Sequence, residues 1–149
     1  MACHGRRQRT TAQQQYLYSA EQLARSDVSD YIEDRVKATQ PAGTSPIAVR
    51  LVSNKELAMR VPPPIPATFC AAERDPLPAR SKCTSQALCL SQEVNGLWVL
   101  LFIKYTQEYR ADAPPCNRGR VYIAYIDSVA HSQPCSRRVA AHQEMQLCT

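Results

Sequence analysis

The apolar positions along the chain change period several times, and each change marks an expected element. Val28, Ile32 and Val36 recur at i, i+4 and i+8, Ser26 stands where a helix cap is needed, and Asp27 and Asp30 suit the positive end of a helix dipole. These features predict an amphipathic helix over residues 27–37. After the turn-forming ATQPAGTSP, Ile47, Val49 and Leu51 alternate with Ala48, Arg50 and Val52 as in a strand. SNKE reads as a turn, and Leu57, Met59 and Val61 as a returning strand stopped by Pro62, Pro63 and Pro64, so a first hairpin is expected. Residues 62–80 hold six prolines and read as a long irregular connection.

A second hairpin is written more clearly. Residues 87–92 and 97–106 flank Glu93-Val94-Asn95-Gly96, and Asn-Gly supplies the positive φ of a tight turn. Strict alternation puts Trp98, Leu100, Phe102 and Lys104 on one face and Leu97, Val99, Leu101 and Ile103 on the other, so this strand is apolar on both sides and should be central. Residues 120–127, rich in Tyr and Ile, predict one more strand. The fold class is therefore α+β: a mostly antiparallel sheet of about five strands with a preceding helix. Beyond Asp127 the pattern weakens, with a break at Pro134 and a helical tendency from Ser136 onward. Residues 1–22 are Gln- and Arg-rich with little apolar periodicity and are expected to form a disordered leader to a domain at 23–149.

The 149 residues suffice for one domain with a real core. The net charge of +5 is spread as +1 over residues 1–40, +2 over 41–100 and +2 over 101–149, so no basic face marks a nucleic-acid site. No apolar run reaches the roughly 20 residues of a membrane span, and MACHGRRQRT lacks the apolar stretch of a secretory signal, so an intracellular setting is expected. The seven cysteines lack CxxC spacing and no HExxH is present, so no metal site is expected. Cys89 reads as a small buried hydrophobe and His142 as an ordinary surface residue.

The spacing of YTQEY, the loop APPCNRGR and the run VYIAYIDSV at 121–129 resembles the central region of the histone acetyltransferase domain of the CREB-binding-protein type, in its plant and algal forms. The likeness extends more loosely over about residues 23–143, through VSDYIEDRV, IAVRLVSNKELAMRV and PCSRRVAAHQ. It implies the N-terminal part of an acetyltransferase core similar to the GNAT type, with acetyl-coenzyme A as co-substrate and histone tails and transcription regulators as partners in the nucleus. It further implies that Ile126, Asp127 and Ser128 line the pantetheine and pyrophosphate region and that Arg137 contacts phosphate, a role for which a charged guanidinium fork is well shaped. Arg138 stands where the family has a threonine that also meets the cofactor, and Ala141 where it has a tyrosine. The family's proposed general acid tyrosine and substrate-guiding tryptophan belong to a later segment, so no catalytic residue is carried over, and this chain alone is expected to be inactive.

Without the resemblance, VYIAYIDSV reads as a half-buried strand ending in a turn, with Asp127 and Ser128 capping backbone amides. Two other classes stay open. One is a non-catalytic remnant that binds cofactor or a partner, or does not fold stably alone. The other is a nucleophilic enzyme on Cys116 or Cys135 with His131 or His142, for which no activating motif is present.

Overall fold

A computed structural model of the chain describes residues 19–63, 65 and 78–147. A 3-10 turn at Ala20–Gln22 precedes helix α1 (Asp27–Ala38), and four strands follow: β1 (Ile47–Arg60), β2 (Arg80–Val94), β3 (Leu97–Tyr109) and β4 (Arg120–Ser128). A second 3-10 turn at Cys135–Arg137 runs directly into helix α2 (Arg138–Leu147). The strands form one antiparallel sheet in the order β1-β2-β3-β4, an α+β arrangement as expected. Residues 1–18 of the expected leader and most of the proline-rich connection lie outside the described residues. No helix among the described residues is long and apolar enough to cross a membrane.

Local chemistry explains the start of α1. Ser26 accepts from the Ser29 amide at 3.2 Å while the Ser29 hydroxyl oxygen accepts from the Ser26 amide at 2.9 Å, closing a reciprocal capping box. The expected apolar stripe is only partly right: Ile32 and Val36 are buried, but Val28 is 45% exposed, and Ser29 and Glu33 complete the buried face.

The first expected hairpin is instead one long strand. SNKE lies inside β1, which pairs with β2 from Ile47↔Gln92 to Arg60↔Arg80, and the register slips at Val52, between Leu51 and Ser53. That bulge reverses which side chains face the helices. Val49 and Leu51 pair with the core residues Leu90 and Leu88, whereas Leu57 and Met59, of the same parity, lie beyond the slip and are exposed. SNKE carries no glycine and no residue at positive φ, so nothing in it forces the chain to reverse. The merged strand is why the sheet has four strands and not five.

The Asn95-Gly96 hairpin is present as expected, with φ of 54° and 75°, and Val94 pairs with Leu97. Strand β3 is central, between β2 and β4, but its alternation also breaks. Leu90 pairs with Phe102 and Ser91 with Leu100, leaving Leu101 as an extra residue. Leu101 and Phe102 are therefore both buried, and Leu100 is 47% exposed.

One layer of helix covers one end of the sheet. Ile32 and Val36 of α1 and Ala141 and Met145 of α2 pack on Val49, Leu88, Leu90, Leu101 and Phe102. Burying each large side chain of this set contributes roughly 1.5–3 kcal/mol. Cys89 is only half-buried, and burial still pushes its thiol up. Every residue of β4 is exposed, and among the described residues the strand carrying the most distinctive sequence run is the last in the sheet order.

Glu33 ties the helical layer to the sheet. Its carboxylate is 3% exposed and accepts from the Val49 amide at 2.9 Å, from Arg50 Nη1 at 2.5 Å and from Lys37 Nζ at 2.5 Å. Burial alone raises its pKa, but the donors from Lys37, Val49 and Arg50 outweigh this and hold it below the ordinary 4.5. A lowered folded-state pKa means the stabilisation is complete above pH 4.5 and drains away as pH falls through the folded value. Glu33→Gln leaves Arg50 buried without a countercharge and is expected to cost about 3 kcal/mol in denaturant melts at neutral pH. The variant should also lose part of the acid limb that the parent shows below pH 4.5.

Candidate cofactor-binding site

The segment between β4 and α2 is held by the sheet. Val129 donates its amide to Leu101 O at 3.0 Å, so the chain leaves β4 still tethered to β3. Four residues on, Gln92 grips the backbone of Gln133 from both sides: its Nε2 donates to Gln133 O at 2.6 Å and its Oε1 accepts from Gln133 N at 2.9 Å. Gln92 is 1% exposed, so this clamp is set in the body of the sheet. Nothing in the sequence pattern singled it out, because a glutamine near a hairpin turn reads as a surface residue.

The fixed segment and α2 form the two walls of a cleft of about 450 Å³. Ser128, Val129 and Ala130 lie on one side, and Arg138, Val139, His142, Gln143 and Gln146 on the other. Arg138, His142 and Gln146 recur at i, i+4 and i+8, which puts them on one stripe of α2. The only charged side chain of the lining is a cation, with no carboxylate among the lining residues. Two apolar valines sit beside it, so the walls suit a molecule that is anionic at one part and apolar at another.

The site residues implied by the resemblance divide. Ser128 and Arg138 both line this cleft. Ile126 and Asp127 precede Ser128 on β4 and are exposed, and Asp127 Oδ1 accepts from the Ser128 amide at 2.8 Å, the backbone-capping role that its position alone allowed. Arg137 ends the 3-10 turn, is exposed and does not line the cleft. Geometry therefore puts the departure from the family pattern, Arg138, nearer the cleft than the matching Arg137.

His142 is not the surface residue expected. Its ring packs on Phe102 with centroids 5.0 Å apart at 46°, and its Nε2 is buried without a hydrogen-bond partner. Burial first, and then the charge of Arg138, lower its pKa below 6.5, so the cleft wall carries a neutral imidazole at neutral pH. Its spacing of four residues from Arg138 was the available signal.

A second depression of about 500 Å³ lies at the other end of the sheet, where Glu56, Glu108 and Asp112 mix with Lys82 and Arg110. Three carboxylates against two cations disfavour a polyanion there. No group of His, Cys, Asp or Glu among the described residues could hold a metal ion.

Residues 28–148 match the family described as the histone acetyltransferase domain KAT3. The chain belongs to this family of histone acetyltransferase domains. Among relatives, it is 31% identical over 144 residues to the rice protein "Probable histone acetyltransferase HAC-like 1", covering 85% of this chain and 8% of that protein. It is 28% identical over 138 residues to "Histone acetyltransferase HAC1" of Arabidopsis thaliana, covering 81% of this chain and 8% of that protein. It is 27% identical over 136 residues to "Protein cbp-1" of Caenorhabditis elegans, covering 87% of this chain and 7% of that protein. The chain thus spans under a tenth of the length of these three relatives.

The lowered His142 pKa has a measurable consequence. Its neutral form stabilises the fold fully above pH 6.5, and that contribution is lost as pH falls through the window below 6.5. Thermal melts of the parent chain should show a decline in Tm across this window, and His142→Gln should flatten it. Parallel pH profiles of the two proteins would contradict the placement.

Proposed function

We propose that this chain holds acetyl-coenzyme A in the cleft between the end of β4 and α2, as the cofactor-binding part of a nuclear lysine acetyltransferase that acts on histone tails. The single observation that carries this reading is the cleft whose one charged lining residue is Arg138 and whose lining also includes Ser128, at the end of the VYIAYIDSV strand. Acetyl-coenzyme A would supply the activated thioester, and its phosphates need cationic partners.

The residues present fit such a ligand. Arg138 offers a fork of donors to phosphate oxygens, and Arg137, exposed one residue before it in the chain, adds a second positive charge nearby in sequence. Val129 and Val139 give an apolar stretch for the pantetheine arm. His142 completes the same wall, its ring packed on Phe102. Acetyl transfer requires the lysine amine, in its neutral form, to attack the thioester carbonyl carbon. The C–N bond forms, the C–S bond breaks, and the amine's proton is passed on as the thiolate leaves. The cofactor-binding residues contribute by fixing where the carbonyl sits, which lowers the entropic part of the barrier. None of Ile126, Asp127, Ser128, Arg137 or Arg138 is assigned the proton transfer.

Calorimetric titration with acetyl-coenzyme A should give saturable binding to the chain. Arg138→Ala should weaken it by roughly 10- to 100-fold, the value of one or two charge-assisted hydrogen bonds, and Arg137→Ala by less. Absence of saturable binding, or an unchanged affinity in Arg138→Ala, would remove the proposal.

A further inference from the structure

Gln92 stands on the helical side of the sheet. Alternate residues of a strand share a face, and Leu88 and Leu90, which belong to the core under the helices, have its parity along β2. In its own row Gln92 lies between Ile47 of β1 and Val99 of β3, both packed against that core, so its strand partners offer the buried amide no polar side chain. A buried amide needs partners, and both polar atoms of this one go to the backbone of Gln133.

Gln133 is the midpoint of the segment that joins the cleft walls, five residues after Ser128 and five before Arg138. Ser128 is still paired with Phe102 on β3, and the Val129 amide is still bonded to Leu101. By Gln133 the chain has reached β2, two strands from the one it left. Arg137 then donates its amide to Pro134 O at 3.0 Å, and α2 begins at Arg138. The core contacts of α2, Ala141 and Met145, and its ion pair at Glu144 start one turn further on, and Val139 is 62% exposed. The start of α2, with Arg138, is therefore placed largely by the segment that leads into it, and Gln92 holds that segment at its middle. Gln92 itself does not line the cleft.

We propose that Gln92 is a positioning residue for the cofactor: without touching it, the side chain sets the spacing of the two cleft walls, and so the affinity for acetyl-coenzyme A, by pinning Gln133. This rests on the reading of the cleft given above. The task needs one group that both donates and accepts. A primary amide does so at any pH, an ionised carboxylate only accepts, and a thioether donates nothing. When the pin is lost the segment samples other arrangements, and apparent affinity falls by the fraction of time the walls are correctly spaced.

Calorimetric titration of the full chain with acetyl-coenzyme A tests the proposal on two variants whose folding is checked by thermal melts. Gln92→Met keeps the length of the side chain and should raise Kd by about tenfold. Gln92→Glu should bind as weakly near pH 8, where the carboxylate opposes Gln133 O. As pH falls its gap to the parent should close, because burial raises the carboxyl pKa and the protonated group regains a donor. The parent at each pH carries the same His142 and Arg138, so their response is common to both proteins. If Gln92→Met does not fold, the Gln92→Glu profile decides alone. Parent-like affinity in both folded variants, or a Gln92→Glu deficit that does not change with pH, would overturn the proposal while leaving the cleft as the cofactor site. A parent that does not bind removes the cleft reading, and this one with it.

Discussion

A single buried carboxylate sets the geometry on which the rest of the molecule depends. Glu33 projects from α1 into the edge of the sheet and gathers a backbone amide, a buried guanidinium and the lysine one turn on. Removing the charge of Glu33 leaves the Arg50 guanidinium buried without a countercharge, which costs more than the pair itself contributes. The consequence is that α1 has one position along β1, not a range of them. With α1 placed, Ile32 and Val36 share one core with Ala141 and Met145, and Arg35 meets Glu144 at 3.0 Å between the two helices.

Placing α2 creates the cleft. The helix lies with its inner residues on Phe102 and its stripe of Arg138, His142 and Gln146 turned toward the segment leaving β4. That segment has its own anchors, the Val129 amide on β3 and the Gln92 clamp on Gln133. Both walls are therefore referred to the same sheet, one through hydrophobic packing and one through hydrogen bonds. A ligand held between them meets a prepared surface, so little of its binding energy is spent on ordering the protein. The distal half of the sheet has no such arrangement, and its charged depression carries both signs.

The parts of this structure that could be read from the sequence are those decided locally. The Ser26 cap needs only its own hydroxyl and the Ser29 amide, and the Asn95-Gly96 turn only two residues tolerant of positive φ. The bulges at Val52, Leu101 and Ala124 could not be read, because each is set by what the neighbouring strand presents. Their effect was large: the Val52 bulge separates Leu57 and Met59 from the face shared by Val49 and Leu51, and the Leu101 bulge changed which residues of β3 are buried. Buried polar groups were equally hidden. Gln92, Glu33 and Lys104 are all at most 2% exposed, and composition gives no sign of it. The VYIAYIDSV run was the clearest pointer to the family, yet its cleft-lining members here are Ser128 and Val129, and the arginine that lines the same cleft is Arg138 beside the expected Arg137.

The central claim is that one end of the sheet, between the end of β4 and α2, is where acetyl-coenzyme A sits. Mapping amide chemical-shift changes during titration of the labelled chain with acetyl-coenzyme A tests it most directly. The account predicts that the shifts cluster at Ser128, Val129 and Ala130 and along Arg138, His142 and Gln146, saturating together. Shifts centred on Glu56, Lys82 and Glu108 at the other end, or none at saturating cofactor, would contradict it.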